Sequence, residues 1–474
     1  MKYKSFLTLY FAGMILLNAC SGFLEEKSQD EVIPQTTSDF RELLMGSGYP
    51  VNGEPSNFIY FMDDDVELYL AIAEFVGNSA ALQFFPSYTW QPTFTEVDGL
   101  GNPVNENAGT TAYYSFYERI KGCNAVLDFI GDAIGPQIEK DRIRAEALAV
   151  RSLYYFILVN LYGEPYNYNR NSPGVPLKLE SKIDDVHLAR NTVSDVYDTI
   201  VANLNEATRL MDPLPIIRQS YHINQPAIHI LLSRVYLFME NWNGAVSEAN
   251  KAIEQGGELL DMTSGTGAAS YYLKYGNPEV EWYFGGNQQA SQSPYIPAPA
   301  FRESFDQVND ARFRWGFSTI TQFSVTPLIL KYVSGSMEPK QVIRTAEAYL
   351  NRAEANAQLN NTAPSLADLN ELRRHRITGY VDENIAVKDV LIEAIRNERR
   401  KEFCYEGFRW FDLRRYGMPS ITHLYQQEAG EAVLTYTLRE NDPMYTLPFP
   451  NSLLLRNPGL TQNPSAAMGE RMGE

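Results

Sequence analysis

Apolar and polar positions along the chain alternate with a helical period over long stretches, and the first of these predicts two helices, at Tyr113–Ala133 and Arg142–Tyr162. In the second, Ile143, Ala147, Val150, Tyr154, Leu158 and Leu161 recur at steps of three and four, which places them on one face. Gly135-Pro136 joins the pair, and Gly163 with Pro165 ends it in the order expected of a helix stop. A third helix is predicted over Thr192–Met211, with Thr192 as N-cap and Asp195 three residues on. Gln225–Asn241 and Trp242–Gln255 make another pair. Arg344–Leu359 with Ser365–Arg376 makes the last, with Ala346, Leu350, Ala353 and Ala357 as a small-residue face and Ser365 and Asp368 as a capping-box-like entry.

Two stretches break the period. Residues 46–110 mix Gly, Pro, Asn and aromatics and predict long loops with short helical pieces; residues 260–335 predict loops and short strands. Helix pairs of roughly 34 residues separated by inserts imply a degenerate repeat array. The segment Leu231–Leu237 followed by Asn241-Trp242-Asn243-Gly244-Ala245 is similar to the junction of two tetratricopeptide helices. The expected fold is therefore mainly α, with about four degenerate tetratricopeptide-type helix pairs supporting an irregular, loop-rich half where a ligand would bind.

The N-terminus changes the picture. Lys2 and Lys4, the apolar run Phe6–Leu17 and then Leu17-Asn18-Ala19-Cys20 form a secretory leader, with an apolar run too short to span a bilayer. A Cys directly after a small residue resembles the lipobox of bacterial lipoproteins, in which that thiol is acylated. Residues 1–19 are expected to be a signal peptide and residues 20–45 a tether and entry to the fold. Leu153–Val159 is the best later apolar run, and it stops at Asn160. Membrane attachment is thus assigned to acyl chains on Cys20.

Charge excludes one class of partner. Without the leader, 38 basic residues face 58 acidic ones, and phosphate backbones would repel such a chain, so no nucleic acid is expected. Cys123 and Cys404 sit in helical apolar contexts and are expected to be separate buried thiols.

Catalytic chemistry finds little support. The five histidines (His187, His222, His229, His375, His423) show no metal-ligand spacing, and there is no nucleophile elbow, P-loop or dinucleotide fingerprint. Glu398, Glu402 and Glu406 repeat every four residues, but Arg396, Arg399, Arg400, Lys401 and Arg409 crowd them. Cations lower carboxylate pKa values, whereas a general acid needs its own raised. An ion-pair network is the expectation; no catalytic residue, metal or cofactor is assigned.

Five stretches together resemble the SusD/RagB family of outer-membrane lipoproteins. They are Cys20–Glu25; Tyr117-Glu118-Arg119-Ile120 with Cys123-Asn124, running on through Arg144–Ala147 and Tyr154–Phe156 to Tyr162-Gly163; and Asn277–Val280. Then come Arg344–Glu347 with Arg352–Ala355, Glu398–Glu402 and Glu406–Arg415, and finally Leu447–Pro450 with Asn457–Pro464. The resemblance implies residues 46–340 as the N-terminal region and 341–474 as the C-terminal one. It also implies four tetratricopeptide-type units, a glycan or in some members a peptide as ligand, and a SusC-like TonB-dependent transporter as partner at the cell surface.

Sugars offer flat apolar faces edged by hydroxyls, so exposed aromatic rings beside polar groups are the expected site. Trp90, Tyr88, Tyr295 and Trp315 lie in irregular regions and are candidates, with Asp64 as polar partner; Trp242, Trp282 and Trp410 are expected in the packing. A peptide ligand or a ligand-free scaffold are the alternatives.

Overall fold

The computed structural model describes residues 34–50, 58–104, 112–182, 186–218, 220–264, 276–284, 294–320, 326–329 and 341–474. Cys20 and the tether before residue 34 lie outside them. In chain order the elements are α1 (Thr37–Leu43), β1 (Val66–Leu68), α2 (Leu70–Val76), α3 (Ser79–Tyr88), α4 (Ala112–Phe129), α5 (Gln137–Tyr162), α6 (Val193–Met211), α7 (Gln225–Phe238) and α8 (Trp242–Gln255). There follow β2 (Val280–Phe284), β3 (Tyr295–Pro297), α9 (Pro299–Glu303), α10 (Ala311–Gly316), β4 (Phe317–Ile320), β5 (Thr326–Ile329) and β6 (Gln341–Arg344). The chain closes with α11 (Thr345–Gln358), α12 (Thr362–Arg374), α13 (Lys388–Glu402), α14 (Arg409–Arg415), β7 (Ile421–Tyr425), β8 (Leu434–Leu438) and α15 (Asn451–Arg456). Among the described residues the strands form two-stranded antiparallel ribbons: β1 with β3, β2 with β6, β4 with β5 and β7 with β8.

Consecutive helices pack as α4 on α5, α5 on α6, α7 on α8 and α11 on α12, with α11 also against α7 and α8. The predicted face of α5 is real: Ile143, Ala147, Val150, Tyr154 and Leu158 are buried, as is the apolar run Leu153–Val159. Among the described residues no helix is long and apolar enough to cross a membrane. The Ala346, Leu350, Ala353 and Ala357 face of α11 is likewise buried, the small side chains letting α11 sit close against its neighbours. Cys123 and Cys404 are buried in separate apolar clusters and are not joined to each other.

Helix ends follow local chemistry. Thr192 caps α6 as predicted: its Oγ1 accepts from the Asp195 N–H and the Asp195 carboxylate accepts from the Thr192 N–H, both at 3.1 Å. The α12 entry differs from expectation. The helix starts at Thr362, and Ser365 and Asp368 lie inside it. Ser365 donates to the Ala353 carbonyl at 2.7 Å, and Asp368 takes both Arg352 N–H groups at 2.6 and 2.9 Å. Both residues tie α12 to α11 instead of capping it. Helix α7 stops three residues early because Glu240 turns to φ 57°, which frees Asn241 to cap α8.

The C-terminal end of α5 is capped by distant residues. Arg414 donates to the carbonyls of Asn160 and Gly163, the Leu447 N–H to that of Leu161, and Arg190 and Asn463 to that of Tyr162. Two cations at the negative end of a 26-residue helix are favourable on electrostatic grounds as well.

The other half is organised by buried charge. Glu402, fully buried, accepts from Arg312 at 2.9 Å, Arg376 at 2.9 Å and Arg344. Glu279 accepts from Arg344 and Arg376, each at 2.9 Å, while Glu398 pairs with Arg312 at 2.6 Å and Arg373 at 2.7 Å. Burial by itself would raise the Glu398 carboxyl, but Arg312, Lys401 and Arg373 outweigh it and hold the group well below the ordinary range. The four-residue spacing of these glutamates is therefore an ion-pair ladder from α13 to α10, β6 and α12.

Removing one member of this network leaves buried cations uncompensated. Glu402→Ala is expected to cost about 3–5 kcal/mol of stability in urea unfolding, with Glu402→Gln milder. A second expectation concerns pH. His229 is buried between Glu248 on Nδ1 at 2.6 Å and Asp212 on Nε2 at 3.0 Å. Burial lowers its pKa, but the two carboxylates overcome that and raise it above the ordinary 6.5. Its contribution should be complete below the unfolded pKa and fade as pH rises through the raised one. Stability measured across that window should lose this slope in His229→Gln.

Candidate functional site

Pairing of β1 with β3, in the register Val66↔Pro297 and Leu68↔Tyr295, brings the segment after Met62 against the start of α9. The β7–β8 hairpin closes the third side. Between them lies a cleft of ≈ 460 Å³ whose walls include Asp64, Glu67, Leu68, Leu70, Thr422 and Leu424. Strand β7 alternates, burying Ile421, His423 and Tyr425 and exposing Thr422 and Leu424. That period of two is why one face of the hairpin packs on the core and the other faces the cleft.

The floor is a rigid aromatic stack. His423 is sandwiched between Tyr88 and Trp90, with ring centroids 4.2 Å away on each side, and Tyr88 lies 4.8 Å from Tyr295. Both imidazole nitrogens face carbonyls, Nδ1 that of Tyr88 at 2.7 Å and Nε2 that of Asp63 at 2.9 Å. Burial pushes the His423 pKa down to about 4 against the pull of those carbonyls. The Tyr88 hydroxyl accepts from the Leu68 N–H at 3.2 Å and donates to the Leu424 carbonyl at 3.0 Å, tying β1 to β7 beneath the opening.

Trp90, Tyr88 and Tyr295 are thus corrected from exposed platforms to buried structure, at 0, 1 and 1 % exposure. Their faces pack on protein rings, and their polar atoms are satisfied internally: Trp90 donates to the Met62 carbonyl at 2.9 Å and Tyr295 to that of Ala81 at 2.6 Å. Trp90 also has a positive φ of 52°, an uncommon backbone state for a bulky residue, which the surrounding packing maintains. Asp64 does reach the cleft, half-buried and clamped by Arg409 at 2.7 and 2.8 Å, with Arg400 at 3.2 Å. Burial opposes its ionisation, but those two arginines prevail and lower its pKa.

Asp63, Asp64 and Asp65 place oxygens within 4.8 Å of one another. Arg400 on Asp65 at 2.5 Å and Arg409 on Asp64 already answer two of the three charges, while burial raises Asp63 well above the usual carboxylate range. Trp315 is elsewhere, half-buried against Met262, Val280, Tyr283 and Val342 with the Arg314 guanidinium 5.7 Å over its ring. Trp282 and Trp410 are buried as expected, and Trp242 packs half-buried beside Leu237 and Ala245.

Of the five candidates, Asp64 and Tyr88 line the cleft, and Trp90 and Tyr295 pack behind Tyr88 and His423; the exposure expected of the three rings is absent. Sequence reasoning missed Glu67, Leu68, Leu70, Thr422 and Leu424. The alternation over Ile421–Tyr425 was the available signal, but nothing local linked that strand to a segment some 350 residues earlier.

Known proteins give the context for this geometry. A family model described as "SusD family" matches residues 264–465, and another described as "Starch-binding associating with outer membrane" matches residues 23–237. A SusD-like protein P38 of Formosa agariphila is 23% identical over 87% of this chain and 90% of its own length. A crystal structure titled as a putative sugar binding protein from Bacteroides vulgatus superposes with a TM-score of 0.70 at 23% identity, covering 92% of this chain and 99% of that one. A SusD superfamily protein from Bacteroides thetaiotaomicron also gives 0.70 at 23% identity, covering 90% of this chain and all of the other. With both halves matched by models of this family and the whole fold shared with its solved members, the chain belongs to the SusD/RagB family.

Proposed function

We propose that this protein captures oligosaccharides at the cell surface in the Asp64 cleft and delivers them to a TonB-dependent outer-membrane transporter, held to the membrane by acyl chains on Cys20. The observation that carries the reading is a preformed cleft whose walls interleave apolar Leu68, Leu70 and Leu424 with polar Asp64, Glu67 and Thr422. Apolar patches suit sugar C–H faces, and the oxygens between them suit hydroxyls. The locked aromatic floor means that little ordering entropy is lost on binding. The family model's description and the neighbour's title support the ligand class.

No chemistry on the ligand is part of the proposal. The clustered carboxylates Glu398, Glu402 and Glu406 are committed to buried arginines, and Asp64 is held ionised by Arg409. The acidic balance of the chain, 58 acidic against 40 basic residues, leaves a cationic peptide as the second reading.

A panel of oligosaccharides and peptides tested by calorimetry separates the two. Capture for onward transfer calls for modest affinity, and saccharide dissociation constants on the order of micromolar to millimolar are expected. Leu424→Asn, at an exposed strand position, should weaken saccharide binding about tenfold, the worth of one buried apolar contact, with unchanged melting temperature. Trp90→Ala should instead lower stability by about 3–5 kcal/mol, as expected of a cavity in the core. Binding to peptides alone would overturn the preferred ligand class.

Attachment and partnership have their own test. Cys20→Ala should move the protein out of the membrane fraction, and native protein purified in mild detergent should bring down a large β-barrel. An unchanged membrane fraction would refute the anchor, and a clean monomer the partner.

A further inference from the structure

The β7–β8 hairpin presents Thr422 and Leu424 to the Asp64 cleft, yet its own ladder is only two strands wide. A two-stranded ribbon is marginal by itself and leaves unpaired backbone groups along its edges. On the β7 edge the Leu424 carbonyl is taken by the Tyr88 hydroxyl at 3.0 Å. The β8 edge is held by residues 471–474, none of which is among the described lining residues of the cleft.

Thr435 and Glu474 exchange backbone hydrogen bonds, N–H to carbonyl in each direction, at 2.9 and 3.0 Å. That reciprocal pair is the pattern of an added antiparallel strand. Arg471 holds the other end of the segment. Its Nη1 donates to the Thr437 carbonyl at 2.6 Å, and its Nη2 lies 3.2 and 3.1 Å from the two oxygens of the buried Asp442 carboxylate. The Arg471 N–H and carbonyl are both taken by the Gln91 side-chain amide at 2.9 Å, one residue past Trp90 of the cleft floor. Between these anchors Gly473 lies flat on the hairpin. A Cβ there would sit 2.7 Å from the Leu434 Cβ and 2.9 Å from the Tyr436 ring, closer than nonbonded carbons approach. Glycine is what lets the segment come this near.

The hairpin register carries these contacts to the cleft. Thr437 stands across from Thr422, and Thr435 across from Leu424, so both exposed residues of β7 have cross-strand partners bonded to this segment. Tyr436, against Gly473, is the partner of His423 in the floor. We infer that residues 471–474 are positioning residues for the saccharide site: a strap that holds Thr422 and Leu424 in binding geometry without touching the ligand. This rests on the assignment of the Asp64 cleft as that site and adds residues outside it. With the strap in place the hairpin wall is ordered before a ligand arrives. Without it, binding has to order the wall, and that entropy is lost from the affinity.

Amide hydrogen exchange over residues 421–438, and calorimetry with maltodextrin, xylo-oligosaccharide and manno-oligosaccharide probes, test this. Arg471→Ala and Gly473→Val, made in the full chain, should each speed exchange of the free hairpin about tenfold, and saturating probe should restore its protection. Both should weaken the probe that binds by about tenfold, with the loss in the entropy of binding and not in its enthalpy. Arg471→Lys, which keeps the charge, should recover part of the loss. Thr192→Ala, a destabilising change at the α6 cap, should leave affinity within about twofold. Unchanged exchange and affinity in Arg471→Ala and Gly473→Val, beside the loss in Leu424→Asn, overturns the strap and leaves the cleft intact. An equal loss in Thr192→Ala overturns it too, since general destabilisation would then suffice. Saccharide binding that ignores Leu424→Asn, or no saccharide binding at all, overturns the Asp64 cleft as the site and the strap's role with it.

Discussion

Buried arginine–carboxylate pairing is the constraint on which this molecule depends. Arg312, Arg344 and Arg376 converge on Glu402 with almost no exposure, and Glu279 and Glu398 complete the set. These residues come from α10, β6, the end of α12, the approach to β2 and α13, which are far apart in sequence. A charge taken out of water costs several kcal/mol unless partners answer it, so each element must arrive in register for any of them to be tolerated. The network therefore acts as a positional lock. It holds the insert around β2 and α10 against the helix pairs, a task that two-stranded ribbons alone do poorly.

The same logic explains the density of charge around α14. Arg409 clamps Asp64 at the cleft, Asp412 takes Arg399 and Arg415, Arg415 also reaches Glu354 on α11, and Arg414 caps the end of α5. Four charged side chains within seven residues thus connect the cleft wall, two helix pairs and the C-terminal segment. The cleft is rigid because its Asp64 wall is bonded directly to that hub, while its floor is pinned by the Tyr88 hydroxyl between β1 and β7. A preformed site on a stiff frame suits a protein that must capture a ligand and release it again, since little of the binding energy goes into ordering loops.

Burial, not residue type, divides the tyrosines. Beneath the Asp64 cleft, Tyr88 and Tyr295 are buried and their hydroxyls serve the backbone. At the start of α4, Tyr114 and Tyr117 keep part of their rings in the open. Aromatic abundance by itself therefore says little about where a sugar would stack.

Helical period fixed most of the scaffold in advance, because an amphipathic face is a local property: the α5 stripe, the Thr192–Asp195 box and the alanine face of α11 all appear where the residues require them. The glutamate ladder was legible too, since spacing by four among arginines leaves little but ion pairing. The role of Ser365 and Asp368 was not, because a helix-start pattern and a helix-to-helix clasp use the same side chains. Trp90, Tyr88 and Tyr295 were expected to be exposed, and all three are buried, with only Tyr88 reaching the cleft lining. Whether a ring in an irregular segment is a floor or a platform depends on what packs over it, here His423 from a strand more than 300 residues away. Chain-local chemistry set the helices and their caps. Long-range packing alone decided which aromatic faces stayed open, because burial is a property of the neighbours and not of the residue.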